Sequence, residues 1–108
     1  MTILVQVLEQ TYSGHTPWEQ VKYAFVDSSH ITTFRLDGQC GVWLDGLKHG
    51  EAHHLAATES AEQAIFFLLT VFDRIAACKQ AGGSWIVGHD GRTVRSIHAT
   101  RFPLTGDG

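Results

Sequence analysis

The absences in this chain narrow it before any motif does. Its 108 residues include two cysteines, Cys40 and Cys78, which form no Cys-x-x-Cys pair. Two thiols cannot staple a small secreted domain, so a reducing compartment, the cytoplasm, is expected. The opening "MTILVQVLEQ" has neither the basic start nor the long apolar stretch of a secretory leader. No apolar run reaches the roughly 18 residues that span a bilayer, so no membrane is expected. Positive charge is sparse: the formal net charge is −3, and Arg92, Arg95 and Arg101 are the only loose basic cluster. A nucleic-acid binder needs a cationic stripe to displace counterions from phosphates, so nucleic acid is not the expected partner. The sequence has no Gly-x-Ser-x-Gly nucleophile elbow and no Gly-x-x-x-x-Gly-Lys phosphate loop. "GGSWIVG" runs from helix stop to strand, the reverse of the order a nucleotide site needs. No catalytic residue and no cofactor is assigned.

What is present reads as one domain, residues 1–108, with 44% apolar and 18% charged residues. No repeat or long linker divides it. The first part predicts a meander of short strands. "TILVQVLE" (2–9) alternates and is β-branched, and "YSGHTP" (12–17) is a loop. "WEQVKYAFV" (18–26), "HITTFRL" (30–36) and "CGVWL" (40–44) follow, separated by turns at 27–29 and 37–39. Cys40, Val42 and Leu44 share one strand face, which makes Cys40 a core residue. A further turn at 45–50 leads to "EAHHLAA" (51–57), a weaker strand.

The period then changes. Thr58 or Ser60 can cap a helix, Ser60-x-x-Gln63 has the spacing of a capping box, and Gly82-Gly83 supplies the stop. Glu59 and Glu62 in the first turn and Lys79 in the last suit the helix dipole. Ala61, Ala64, Ile65, Leu68, Val71, Phe72 and Ile75 fall on one stripe, the expected core face. "SWIVG" (84–88) and "TVRSIHA" (93–99) predict two more strands around an "HDGR" turn, and the tail "TRFPLTGDG" is irregular. The expected fold is α+β: an antiparallel sheet of five to seven strands with one face packed on a single long helix.

Two segments carry candidate sites. On a strand, His49, Glu51 and His53 point one way, with His54 beside them, and two imidazoles and a carboxylate can bind Zn²⁺. The spacing is not His-Glu-x-x-His, and a solvated strand face beside a turn is the plainer reading. A metal-binding protein or small metal-dependent enzyme using His49, Glu51, His53 and His54 stays as an alternative. The helix is the other segment. At about 100° per residue, the apolar arc from Phe67 through Val71, Leu68 and Ile65 to Leu69 covers over half the wheel. Phe66 falls outside it, near Glu59, Glu62 and Asp73. Either a loop or the tail covers Phe66, or it is an exposed aromatic rimmed by acids, as at a protein-binding patch. Trp18 and Trp43 are core or patch residues by the same reasoning.

Cys40, the Gly46-Leu47 turn, the helix start at 59–64, Trp85 and Phe102-Pro103 resemble the pattern of a group of small bacterial domains of unknown function. There a Cys strand, a Gly-Leu turn, a polar strand, an acidic Gln-Ala helix, a Trp strand and a closing Phe-Pro follow in this order. The resemblance covers roughly the C-terminal 65 residues and carries no catalytic residue. In type the chain is similar to immunity proteins of bacterial toxin systems: small, acidic, one-domain and α+β. That likeness implies a protein partner, a toxin or effector that the chain neutralises by direct binding. The residues expected to meet it are Glu59, Glu62, Phe66 and Asp73. An oligomeric accessory domain, monomer or small homo-oligomer, is the remaining alternative.

Overall fold

A computed structural model describes residues 2–8, 22–46 and 52–102. The elements are β1 (Ile3–Leu8), β2 (Tyr23–Asp27), a 3-10 turn (Ser28–His30), β3 (Ile31–Leu36), β4 (Gly41–Gly46) and β5 (Ala52–Ala57). Then come α1 (Ala61–Ala81), β6 (Trp85–Gly88), a 3-10 turn (Val94–Ser96) and β7 (His98–Arg101). The seven strands form one sheet, in the order β3-β4-β5-β1-β6-β7, with β2 also paired to β1. The architecture is α+β, one sheet with α1 across one face. Among the described residues no helix is long and apolar enough to cross a membrane.

β1 is the hub. Its alternation puts Ile3, Val5 and Val7 in the core, beneath Ala64, Phe67, Val71, Ile75 and Cys78 of α1. Val42, Leu44, Leu55, Ala56 and Val87 complete this layer. β1 runs antiparallel to β2 and, at Leu8 with His54, to β5, but parallel to β6. The parallel pair is a departure from the all-antiparallel meander. It arises because α1 carries the chain across the sheet before β6 forms. The polar groups of the connection back to β7 are satisfied locally: the Asp90 carboxylate accepts from the Arg92 and Thr93 amides, both at 2.7 Å. The Asp90 amide donates to Ser96 Oγ at 2.9 Å. These bonds hold residues 90–96 out of the ladder, so the last strand starts at His98 rather than at Thr93.

The other boundaries shift for equally local reasons. His30 belongs to the 3-10 turn capped by Asp27, whose side chain accepts from the Ser29 amide. Cys40 is half-buried and lies in a turn, not in the core. Its φ of 63° is the only positive value at a non-glycine residue among those described. Asp37 holds that turn, its Oδ1 accepting from the Gln39 and Gly41 amides and its Oδ2 from Trp43 Nε1. A bulge also interrupts β5: Val42 faces Ala56 and Trp43 faces His54, leaving Leu55 as the extra residue. Simple alternation therefore fails there, and His54, Leu55 and Ala56 are all buried. The expected turn at 45–50 begins later, since Asp45 and Gly46 extend β4; its residues 47–50, with the expected loop at 12–17, Trp18 and the start of the second strand, lie outside the described residues.

Candidate protein-docking site

α1 begins where Ser60 takes up extended backbone and its Oγ accepts from the Gln63 amide at 3.1 Å. Gln63 reaches back as a capping box requires, although its Oε1 takes the Glu59 amide rather than that of Ser60. Gly82, at φ 76°, stops the helix, its amide donating to the Cys78 carbonyl. Twenty-one residues between these signals make nearly six turns.

The buried stripe is Ala64, Phe67, Val71, Ile75 and Cys78, spaced three, four, four and three residues apart. This corrects the expected core face: Ile65 is 46% and Phe72 58% exposed, while Phe67 is fully buried. Two apolar stripes compete on this helix. The one that wins stays apolar to the last turn, at Cys78, whereas the stripe through Ile65 and Phe72 runs onto Lys79.

The consequence is an apolar face turned to solvent. Glu62, Phe66, Leu69 and Asp73 succeed one another at helical spacing, opposite the buried stripe, and all four are exposed. Phe66 is 53% and Leu69 54% exposed. Among the described residues no segment closes over Phe66. Glu59 is exposed just ahead of the cap, so Glu59, Glu62 and Asp73 border the apolar pair along the helix. Arg74 approaches Asp73 at 3.5 Å on the surface, a contact worth little in water. Thus Glu62, Phe66 and Asp73 share one side of α1, Leu69 joins them, and Glu59 precedes the helix, exposed.

Ile65, Leu68 and Phe72 form the flank next to β3, where Phe72 meets Phe34 edge to face at 6.3 Å. Leu36, 40% exposed, continues the apolar surface along β3. Together Leu36, Ile65, Phe66, Leu69 and Phe72 expose about 450 Å², at roughly 180 Å² for each whole residue. A single surface of this size is commonly functional. The sequence reading missed the flank because it assigned Ile65 and Phe72 to the core. On the far side of the first turn, a cavity of about 340 Å³ is lined by Gln63, Thr93, Val94 and Arg95.

Of the alternative metal residues, the two described ones, His53 and His54, do not converge. His49 and Glu51 lie outside the described residues. His53 and His54 face Leu44 and Trp43 at successive strand positions, so their side chains leave opposite faces of the sheet. His54 is buried with its ring 4.6 Å from that of Trp43. Burial lowers its pKa, against the pull of the Asp37 charge. Among the described residues no cluster of three His, Cys, Asp or Glu side chains is placed to hold a metal.

A second histidine serves the fold. His89 Nε2 lies 2.6 Å from the Gln6 carbonyl, and its Nδ1 accepts from the Gly91 amide at 2.8 Å. Those partners fix the neutral tautomer with its proton on Nε2. The ring stands edge to face with Phe67 at 5.1 Å, tying β1, the β6–β7 connection and α1 together.

The described residues thus form an α+β fold in which α1 turns an apolar face outward. No protein family, curated protein or solved structure matches the chain.

Proposed function

We propose that this chain is a protein-binding module that neutralises a cognate bacterial toxin by direct binding. The single observation carrying the reading is the stripe Phe66–Leu69, exposed opposite the core and bordered by Glu59, Glu62 and Asp73. A solvent-facing helix stripe is ordinarily polar. Phenylalanine and leucine with an acidic rim supply the apolar centre and charged margin of a docking surface. With a net charge of −3, the chain favours a basic partner. Toxins that attack nucleic acids are commonly basic, and opposite charge speeds their encounter with an acidic inhibitor.

The test is co-expression with the product of the adjacent gene, then size exclusion with mass detection and a growth assay. The expected result is a one-to-one complex that relieves toxicity. Its association rate falls as salt rises. Phe66→Glu abolishes both the complex and the relief, while the variant keeps its far-UV circular dichroism. A neighbour that neither binds the chain nor is silenced by it overturns the reading.

A further inference from the structure

We infer that β3 and the adjoining flank of α1 form a second interface, distinct from the Phe66 stripe, whose occupant is another copy of this chain. Among the described residues β3 pairs with β4 alone. The Asp37 amide donates to the Gly41 carbonyl at 3.0 Å, making that a hydrogen-bonded pair. Alternation along the ladder then turns the N–H and C=O groups of Phe34 and Leu36 toward the open edge. Open edges are ordinarily blunted by lysine, proline or inward charge. "ITTFRL" has no lysine or proline. Its one charge, Arg35, is taken by Asp45 at 3.2 Å and lies over the Trp43 ring.

This edge is complementary to itself. An antiparallel pairing of two β3 strands centred on Phe34 sets Phe34 against its copy and Arg35 against Thr33, so no like charges face each other. Phe34 lies on the helix side of the sheet, in contact with Phe72. The same two-fold axis therefore brings together the Phe34–Phe72 pairs of both copies and the Ile65 flanks beside them. A foreign partner would need its own matching strand and apolar flank, whereas a second copy brings both by symmetry.

The size of the surface fixes the strength. Leu36, Ile65 and Phe72 expose about 260 Å² at roughly 180 Å² per residue. A six-residue edge adds about 200 Å², from a length of about 20 Å and a sheet about 10 Å thick. The sum is below the roughly 800 Å² per partner of a standard stable complex. The dimer is accordingly weak and reversible.

The inference does not rest on toxin neutralisation, and sedimentation velocity of the purified chain across a wide concentration range tests it alone. The expected result is a monomer–dimer equilibrium that Phe72→Glu and Leu36→Lys each weaken at least tenfold and Phe66→Glu leaves unchanged. Amide exchange at Phe34 and Leu36 slows as concentration rises. Circular dichroism confirms folding, and because Leu36 sits at an exposed strand end its variant reports even if Phe72→Glu unfolds. A chain monomeric into the millimolar range, or a dimer broken by Phe66→Glu and indifferent to the two β3-side variants, overturns the inference. Complex formation with the neighbouring gene product by a strictly monomeric chain refutes the dimer and leaves the docking stripe standing.

Discussion

Mild acid should destabilise this protein chiefly through one side chain, His89. Burial pushes its pKa from 6.5 down to about 4, against the opposing pull of the Gln6 carbonyl and Asp90. The geometry shows why: a proton on Nδ1 would point at the Gly91 N–H, which now donates to that atom from 2.8 Å. Above pH 6.5 the imidazole is neutral in both folded and unfolded chains and contributes no pH dependence. As pH falls below 6.5 the unfolded chain takes up a proton that the folded chain refuses, so stability drops until the folded pKa is passed. At pH 5 the loss is about 2 kcal/mol, and it levels off near 3 kcal/mol below pH 4. His54, also lowered by burial, adds to the same trend. Asp27 and Asp37, held below the ordinary carboxylate range by hydrogen bonds from Ser29 and Trp43 respectively, enter only at lower pH. Urea unfolding at pH 7, 6 and 5, followed by tryptophan fluorescence, gives the slope. His89→Gln keeps a donor for Gln6 but cannot ionise; it should be less stable at pH 7 yet lose about 2 kcal/mol less than the parent between pH 7 and 5. Equal slopes for parent and variant would refute the assignment.

Three further sets of substitutions probe the frame. Phe67→Ala should cost about 3–5 kcal/mol in urea unfolding, against less than about 1 kcal/mol for Phe66→Ala one residue away, because only Phe67 leaves a cavity; similar costs would contradict the stripe assignment. Cys40→Gly should raise the unfolding free energy by about 0.5–1 kcal/mol, seen as a higher urea midpoint at an unchanged denaturant slope, since glycine accepts φ 63° without a Cβ clash. Ser60→Ala should cost about 1 kcal/mol by freeing the Gln63 amide, and Ser60→Asp should recover most of it.

Much of this was legible in the residues, for identifiable reasons. The helix limits follow from Ser60, Gln63 and the paired glycines, all of which act within one turn. β1 and β4 follow from period-two alternation and lie within two residues of their expected limits. Three things were not legible. Choosing between two apolar helix stripes depends on which one the sheet covers, and Phe67 and Phe72 are chemically the same residue. The bulge at Leu55 and the Cys40 turn depend on pairing with other strands. Asp90, with donors at 92, 93 and 96, looks in sequence like a short hairpin turn, yet it holds a longer connection. At the docking stripe, Phe66 among acids was visible because it broke the wheel. The β3 flank was not, because an open strand edge has no signature of its own.

The position of β1 in the sheet sets a timetable for synthesis. Its parallel partner β6 lies about 80 residues further along the chain. At roughly 5–20 residues per second, β1 leaves the ribosome about 4–16 s before that partner exists. For most of that interval Ile3, Val5 and Val7 have no helix over them, since α1 is also made later. Contacts this far apart in sequence slow folding, because a long loop must close before they form. The nascent chain is therefore most exposed to aggregation at its first strand, and residues 85–88 complete it.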